Sequence, residues 1–251
     1  MKKVDQEDIR RYVYNNIEIY HSNRIAKLRT LKLEKILKRK NPYLYRAKNV
    51  TTAQEIVQWI LEAHLSSEEE TSFGDFLEGL AIYVAGIAAG GRKSTAEGID
   101  LEIEKGATKY IISIKSGPNW GNSQAIKRMS DNFLKAQRIL RTSGGVSRVI
   151  AINGCCYGID NNPDKGAYLK LCGQRFWFFL SGDENLYTEI VEPLGFEAKE
   201  RNEAFLEEYG RIINNFTKAF LEEFCTDGNI EWEKLVQKNS MAKAGTLAVY
   251  E

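Results

Sequence analysis

Two charged side chains of opposite sign lie at the outer ends of two short runs with strand-like alternation. Asp100 stands near the start of the run "EGIDLEIE", and Lys115 ends the run "KYIISIK". A turn opened by Lys105 and Gly106 separates the runs, so an antiparallel hairpin would bring the acid and the lysine to the same end. There the carboxylate could bind Mg²⁺, which prefers oxygen ligands, and the lysine could orient a water molecule or stabilise charge on a phosphate. A cross-strand ion pair without catalysis would have the same spacing.

A second carboxylate is needed, because one is too few for a catalytic metal ion. Asp100, Glu102 and Glu104 alternate along the first run and therefore share one strand face. The other source is Glu78 in "GDFLEGLA", an acid within an apolar helical stretch. A buried carboxylate without a partner is costly, and a metal ion is one solution. A hydrogen-bonded structural glutamate, or one turned to solvent, is the alternative.

The order of these segments resembles the metal-dependent nucleases of the PD-(D/E)XK superfamily. "GIDLE" followed by "IISIKSG" is similar to their acid-then-lysine pattern, and "GDFLEGLA" is similar to the helix that supplies an extra glutamate in many of them. The resemblance implies that Asp100 and Glu78 ligate the metal ion and that the Ile114 carbonyl adds a ligand. It implies that Lys115 orients the attacking water.

Ser113 departs from the superfamily pattern, because it stands where the second strand acid usually stands. Some members are similar in having a small residue there, with a helix acid migrated into its place. Glu78 is the first candidate for that acid, and Glu102 is the second because it shares a strand face with Asp100. The predicted catalytic residues are Asp100, Lys115, Glu78 and Ser113, with Mg²⁺ held by Asp100, Glu78 and Ile114.

A longer ordered set of segments looks like type II restriction endonucleases. It comprises "SSEEETSFGDFLE", "KSTAEGIDLE", "IKSGPNWGN" and "CGQRFWFFLSG", and the resemblance covers about residues 40–220. Within that class the chain resembles the group that reads interrupted GGNCC-like palindromes. The resemblance implies Mg²⁺-dependent hydrolysis of double-stranded DNA phosphodiesters at a short, palindromic site by a homodimer. It also implies a restriction-modification system, in which a DNA methyltransferase acts on the same site.

Two other functions are compatible with the same residues. A structure-selective repair or recombination nuclease would have the same metal centre but would cut branched or damaged DNA. A DNA-binding module without catalysis would use Asp100 and Lys115 as a structural pair. The chain has no GxxxxGK[ST] motif, so cleavage driven by ATP is not indicated. His21 and His64 lie far from the acids in sequence, which argues against a histidine-based nuclease.

Charge is distributed unevenly along the chain, although the net charge is only +1. Residues 1–50 hold 14 Lys and Arg against 5 Asp and Glu, and residues 115–148 hold 7 against 1. Basic surfaces suit a polyanion such as DNA, or they are solvated helix faces. Amide and hydroxyl groups in the segment "GPNWGNSQ" can contact phosphates or base edges, or this segment is a plain turn and helix cap. The predicted DNA-binding residues are Lys32, Lys35, Arg39, Arg46, Lys48, Ser116, Asn119, Asn122, Ser123 and Gln124.

Helices are predicted at both ends of the chain, around a central α/β segment. Residues 5–39 indicate two helices with a break near 21–23, the second of them strongly basic. Further helices are expected at Ala53–His64, Phe73–Ala89 and Ser123–Thr142, and strands at Glu97–Glu104, Lys109–Lys115 and residues 146–153. This order predicts an α/β protein with a PD-(D/E)XK nuclease-like core, a central mixed sheet flanked by helices, and N- and C-terminal helical additions. One endonuclease domain is expected over 1–251: a basic helical part (1–65), a catalytic core (66–182) and a C-terminal helical part (183–251).

The composition favours a cytoplasmic protein. The chain of 251 residues is 43% hydrophobic, enough to bury a core. It has no run of 18 or more apolar residues, so neither a transmembrane helix nor a membrane partner is expected. The N-terminus lacks an apolar signal core. The four cysteines have no metal-ligand spacing and are expected to be reduced.

Overall fold

A computed structural model describes residues 2–142 and 148–242. The chain forms two compact units. We call Met1–Tyr20 with Glu70–Ala198 the sheet unit, and His21–Glu69 with Lys199–Glu251 the helical unit. The prediction of a single endonuclease domain in three parts stays a prediction.

The sheet unit is built on a five-stranded mixed sheet in the order β1-β2-β3-β4-β5. Its strands are β1 (Arg92–Lys93), β2 (Leu101–Lys105), β3 (Thr108–Lys115), β4 (Arg148–Cys155) and β5 (Leu169–Cys172). The first three strands pair antiparallel, whereas β3, β4 and β5 run parallel. The predicted hairpin is confirmed, although its first strand begins at Leu101 rather than at Glu97. The α/β class and the mixed central sheet flanked by helices are confirmed as well.

Both faces of this sheet are covered by helices. Helices α1 (Gln6–Arg29) and α4 (Ala53–Ala89) contribute residues to both units, and the sheet unit also holds α5 (Ser123–Thr142), α6 (Gln174–Ser181), α7 (Leu186–Glu189) and α8 (Val191–Leu194). One apolar cluster joins Leu80 and Val84 of α4 to Leu101 and Ile112 of the sheet. A second cluster joins α5, through Phe133, to the opposite face. The helix predicted at Ser123–Thr142 is confirmed.

The helical unit has its own core. It contains α2 (Leu33–Leu37), α3 (Pro42–Ala47), the short strands β6 (Cys225–Thr226) and β7 (Asn229–Ile230), and α10 (Trp232–Ser240). It also contains α9 (Ala198–Phe224), except for the first residue of that helix, Ala198. Ile56, Leu61, Phe220 and Phe224 are among the side chains buried in this core. Pro42 occupies the first turn of α3, where its missing N–H costs nothing.

Two predicted helix breaks are wrong. No break occurs near 21–23, because α1 continues to Arg29. The helices expected at Ala53–His64 and Phe73–Ala89 are one helix, α4. Residues 65–72 contain no Gly or Pro to stop it, and ion pairs from α1 to Glu68 and Glu69 stabilise this polar stretch. The Thr52 hydroxyl accepts a hydrogen bond from the Glu55 amide, which confirms the predicted cap.

Helix α4 is apolar and long enough, by length and composition alone, to cross a membrane. The core helix of a folded domain passes the same test. Leu80, Ala81, Val84 and Ala85 of α4 are fully buried against the sheet and its neighbours, and this packing accounts for the apolar composition. The absence of a membrane-spanning helix stays a prediction.

Strand β4 and helix α6 approach each other closely at Gly154. A Cβ atom added there would lie 2.1 Å from the Phe176 ring, which is fully buried. Gly154→Ala should therefore lower the free energy of unfolding by about 1–3 kcal/mol through overpacking. Gly210→Ala is the matched control, because a Cβ added at Gly210 meets no atom within 4 Å. Thermal and urea unfolding of both variants check this, and an unchanged Gly154→Ala stability would contradict the close packing.

Candidate active site

Asp100 is held against β3 by its backbone and its side chain. Its amide donates to the Ile112 carbonyl at 2.9 Å, which fixes its position just before β2. Its Oδ2 atom accepts hydrogen bonds from the Ile114 amide at 2.6 Å and from the Ser113 hydroxyl at 3.3 Å. Both of these donors, a main-chain amide and a hydroxyl, reach Oδ2. Ser113, only 2% exposed, therefore orients the acid in the structure.

The Ile114 main chain faces the same carboxylate. In an extended strand the N–H and C=O of one residue point towards the same neighbouring strand. Since the Ile114 N–H reaches Asp100, the Ile114 carbonyl is directed to the same side of β3. This is the orientation that a main-chain metal ligand beside Asp100 requires.

Glu78 comes from α4, on the face of the sheet that this helix covers. Burial is the largest cause that raises the pKa of its carboxyl, and the negative charge of Asp100 raises it further. Lys93 and Lys115 act in the opposite direction but do not cancel these effects. Two carboxylates that repel each other in a half-buried site favour either a proton or a cation between them.

Two other neighbours of Glu78, Cys156 and Tyr12, stay uncharged at neutral pH. Burial and the Glu78 charge raise the pKa of Cys156 to about 12 and that of Tyr12 to about 12. Gly79 permits the close approach of Tyr12, because a Cβ added at Gly79 would lie 2.2 Å from the phenol oxygen. Glu78 is therefore bordered by a neutral thiol and a neutral phenol.

Lys115 lies at the end of β3 beside the two acids without an ion pair to Asp100. Its Nζ atom lies 5.2 Å from the centroid of the Trp120 ring, within the range of a cation–π contact. Among the ion pairs of residues 2–142 and 148–242 none includes Lys115, although its charge lowers the pKa of Glu78. The hairpin thus brings Asp100 and Lys115 to one end, as its geometry predicts, but leaves the carboxylate unpaired.

Glu102, the alternative second ligand, is occupied elsewhere. It accepts a hydrogen bond from the Ser94 hydroxyl at 2.8 Å and pairs with Lys109 at 3.4 Å and Arg92 at 3.5 Å. Burial would raise the pKa of Glu102, but the Ser94 hydrogen bond and the two cations lower it overall. Lys109 is itself buried, so Glu102 balances its charge, and the exposed Glu104 pairs with the same lysine at 3.1 Å.

The donors at this site fit Mg²⁺. The described part of the chain holds no cluster of three or more His, Cys, Asp and Glu side chains. Mg²⁺ does not need one, because it is commonly bound by one or two carboxylates and retains several waters or phosphate oxygens. Asp100, Glu78 and the Ile114 carbonyl supply oxygen donors only, as this hard cation prefers.

The segment after Lys115 lines a cavity of about 370 Å³ in the sheet unit. Ser116 and Asn119 of the predicted DNA-binding set lie on its wall, together with Trp120 and Tyr157. Asn122 instead caps α5, because its Oδ1 atom accepts from the Ala125 amide at 3.0 Å. Ser123 and Gln124 are exposed in the first turn of that helix.

Trp120, Tyr157 and the buried Asn153 were not among the predicted site residues. Asn153 lies in β4, and its contacts join segments far apart in sequence. The one signal in the sequence was that Trp120 is a large aromatic residue in a polar turn. The spacing of residues does not show which group it would contact.

The predicted basic helix Arg24–Lys40 does not exist as one element. Helix α1 ends at Arg29 and α2 begins at Leu33. Arg24, Lys27 and Arg29 are paired with glutamates of the same unit, at 2.6 to 3.3 Å. Of the predicted DNA-binding residues in the helical unit, Lys32, Lys35 and Arg39 are exposed, whereas Arg46 and Lys48 lie over the rings of Trp232 and Trp59.

The structure has a nuclease-like α/β core. A mixed sheet carries a carboxylate and a lysine at one end of a hairpin, and a helix contributes a glutamate to the same site. The family model described as Type II restriction endonuclease EcoO109I matches residues 7–202, most of the chain. The chain therefore belongs to this family. It is a type II site-specific deoxyribonuclease, whose substrate is double-stranded DNA. No curated protein matches the chain significantly.

The repulsion between Glu78 and Asp100 can be measured directly. Without a divalent metal, the Glu78 carboxyl should titrate above the ordinary glutamate range, because burial and the Asp100 charge both disfavour its ionised form. Asp100→Asn removes one negative charge and should move the Glu78 pKa downwards. Carbon-13 NMR titration of side-chain carboxyls checks this, with Glu104→Gln as the control that should leave Glu78 unchanged. An unaltered Glu78 titration in Asp100→Asn would show that the two acids do not share a site.

Proposed function

We propose that this restriction endonuclease hydrolyses DNA phosphodiesters with Mg²⁺ held by Asp100, Glu78 and the Ile114 carbonyl. The observation that carries the proposal is the Asp100 carboxylate, which the Ile114 amide and the Ser113 hydroxyl fix in place and whose charge raises the pKa of Glu78. Such a site is electrostatically unsatisfied without a cation. When bound there, Mg²⁺ supplies Lewis-acid stabilisation of charge on the scissile phosphate and favours ionisation of a water.

The side chains of this chain would divide the remaining work. Asp100, oriented by the Ser113 hydroxyl and the Ile114 amide, would hold the cation. Glu78 contributes a carboxylate from the neutral pocket formed with Tyr12 and Cys156. Lys115 orients the attacking water and stabilises negative charge on the phosphate oxygens. Because Lys115 forms no ion pair with Asp100 in the described residues, its N–H groups can donate to the water and the phosphate.

The specific site that we propose is a short palindrome of the GGNCC-like kind, cut by a homodimer. Family membership supports site-specific cleavage of double-stranded DNA, and a two-fold protein dimer is the economical reader of a two-fold DNA site. Asn119 and Ser116 lie on the cavity wall just after Lys115, which supports our proposal that they contact bases or phosphates near the cut. A DNA methyltransferase that modifies the same site would protect the host DNA.

Incubation of the protein with plasmid DNA and Mg²⁺ separates this proposal from its alternatives. Site-specific cleavage gives discrete bands that share one sequence at their ends. A structure-selective nuclease would instead nick branched or damaged DNA without a common sequence, and a binding module would leave the plasmid intact. Replacement of Mg²⁺ by EDTA should abolish the discrete bands.

The second metal ligand is tested by a ranking of three variants. Asp100→Asn and Glu78→Gln should each lower the cleavage rate by at least about 100-fold, because each removes a charge that the cation needs. Glu102→Gln should retain most activity, since this carboxylate neutralises Lys109 and Arg92. All three changes are isosteric, so circular dichroism should confirm an intact fold. The reverse order of Glu78 and Glu102 would move the second ligand to the strand.

The exposed basic residues of the helical unit are tested by the salt dependence of binding. Lys32, Lys35 and Arg39 are solvent-exposed, and we propose that they contact phosphates without reading bases. Each lost phosphate contact should reduce the slope of log K against log salt by about 0.9. Alanine at all three positions should therefore weaken binding to all DNA sequences alike. The control is a double variant with alanine at Arg24 and Lys27. Because both side chains are paired with glutamates, this variant should change the slope less. An unchanged slope in the triple variant would remove these residues from the DNA surface.

A further inference from the structure

Asn153 is a polar side chain in the interior of the sheet, and both ends of its amide are used. It is only 1% exposed and lies in β4 opposite Ser113 of β3. Its Nδ2 atom donates to the Ser113 carbonyl at 3.3 Å, and its Oδ1 atom accepts from the Trp120 indole N–H at 3.1 Å. The amide thus joins the strand that carries Ser113 and Lys115 to the aromatic residue of the turn that follows.

Trp120 in turn contacts Lys115. The Nζ atom lies 5.2 Å from the indole centroid, and tryptophan is the aromatic side chain that attracts a cation most strongly. The turn between Lys115 and Trp120 is held independently, because Lys170 donates to the Pro118 carbonyl at 2.9 Å. Gly117 lets the Tyr157 ring pack against the same turn, since a Cβ there would lie 2.3 Å from the ring. The indole is therefore a fixed surface.

A lysine next to two carboxylates would ordinarily form an ion pair with one of them. Such a pair would place an ammonium group where the cation is proposed to bind and would use the N–H donors needed for water and phosphate. In the structure the Lys115 ammonium group instead lies over the Trp120 ring, 5.2 Å from its centroid. The ring offers attraction without a negative charge, so it holds the ammonium group near the site while Asp100 stays accessible.

We propose that Trp120, locked by Asn153, is a positioning residue that keeps Lys115 out of an ion pair with the metal-binding acids. This inference rests on the proposed role of Lys115 in cleavage. It adds two residues, distant from each other in sequence, to the machinery of the reaction. Trp120 acts through Lys115, and Asn153 acts through Trp120.

The decisive variant is Trp120→Leu, which removes the ring face but keeps an apolar side chain. Lys115 should then move towards the carboxylates, and the single-turnover rate on a plasmid that the wild type cleaves should fall on the order of 10- to 100-fold. Calorimetric titration with Ca²⁺ in the absence of DNA should show weaker binding, because the ammonium group competes for the same oxygens. Trp120→Phe retains a ring and should lie between the wild type and Trp120→Leu in both measurements.

The matched control is Phe179→Leu in the same unit. Phe179 holds Lys105 with the ammonium group 4.0 Å from its ring centroid, so this change also removes a lysine–aromatic contact. Its cleavage rate and Ca²⁺ affinity should stay at wild-type values. If Trp120→Leu does not fold, Asn153→Ser replaces it, since loss of the indole acceptor should give the same two changes in smaller degree.

The outcomes separate this inference from the proposed function. If the wild type cleaves and Lys115→Gln does not, but Trp120→Leu or Asn153→Ser keeps the wild-type rate and Ca²⁺ affinity, the positioning role is overturned. A reduced rate with unchanged Ca²⁺ affinity would also overturn it, because a merely structural role predicts that pattern. Full activity of Lys115→Gln would instead overturn the proposed role of the lysine itself.

Discussion

The hydrogen bonds between Asp100 and β3 are the constraint on which the rest of the site depends. The backbone bond to Ile112 and the side-chain bond to the Ile114 amide set the register at the open end of the hairpin. A slip of one residue would turn Lys115 to the opposite face of the sheet. Strand β3 is also paired in parallel with β4 along its whole length. The register that positions Asp100 therefore also brings Asn153 within hydrogen-bonding distance of the Trp120 indole N–H.

The second feature that shapes the site is repulsion between like charges. A helix that packs an apolar face on the sheet also brings Glu78 towards Asp100, and burial makes the ionised form of Glu78 costly. Elsewhere on the same sheet, Glu102 shows the ordinary solution, in which a half-buried acid is balanced by Lys109 and Arg92. Asp100 and Glu78 form no ion pair within the described residues, and Lys93 and Lys115 only partly offset the raised pKa of Glu78. We interpret this difference from Glu102 as the signature of a cation site.

Family membership and physical chemistry contribute different parts of the conclusion. The match to the restriction endonuclease family establishes the enzyme class and its DNA substrate. The contacts of individual residues support the metal ligands, the positioned lysine and the phosphate contacts that we propose. The basic character of the N-terminal region illustrates why contacts matter, because several of its cations are already paired with glutamates.

The sequence by itself determined the hairpin, helix α5, the α/β class and the candidate acids, because each depends on local periodicity, turn residues and charge. It did not determine that α1 and α4 continue through residues 21–23 and 65–72, since tertiary ion pairs and core packing override weak local breaks. Only the tertiary structure decided that Glu102 is neutralised by Lys109 and that Asn153 holds Trp120 beside Lys115. These contacts join segments that are distant along the chain, and no spacing within one segment can predict them.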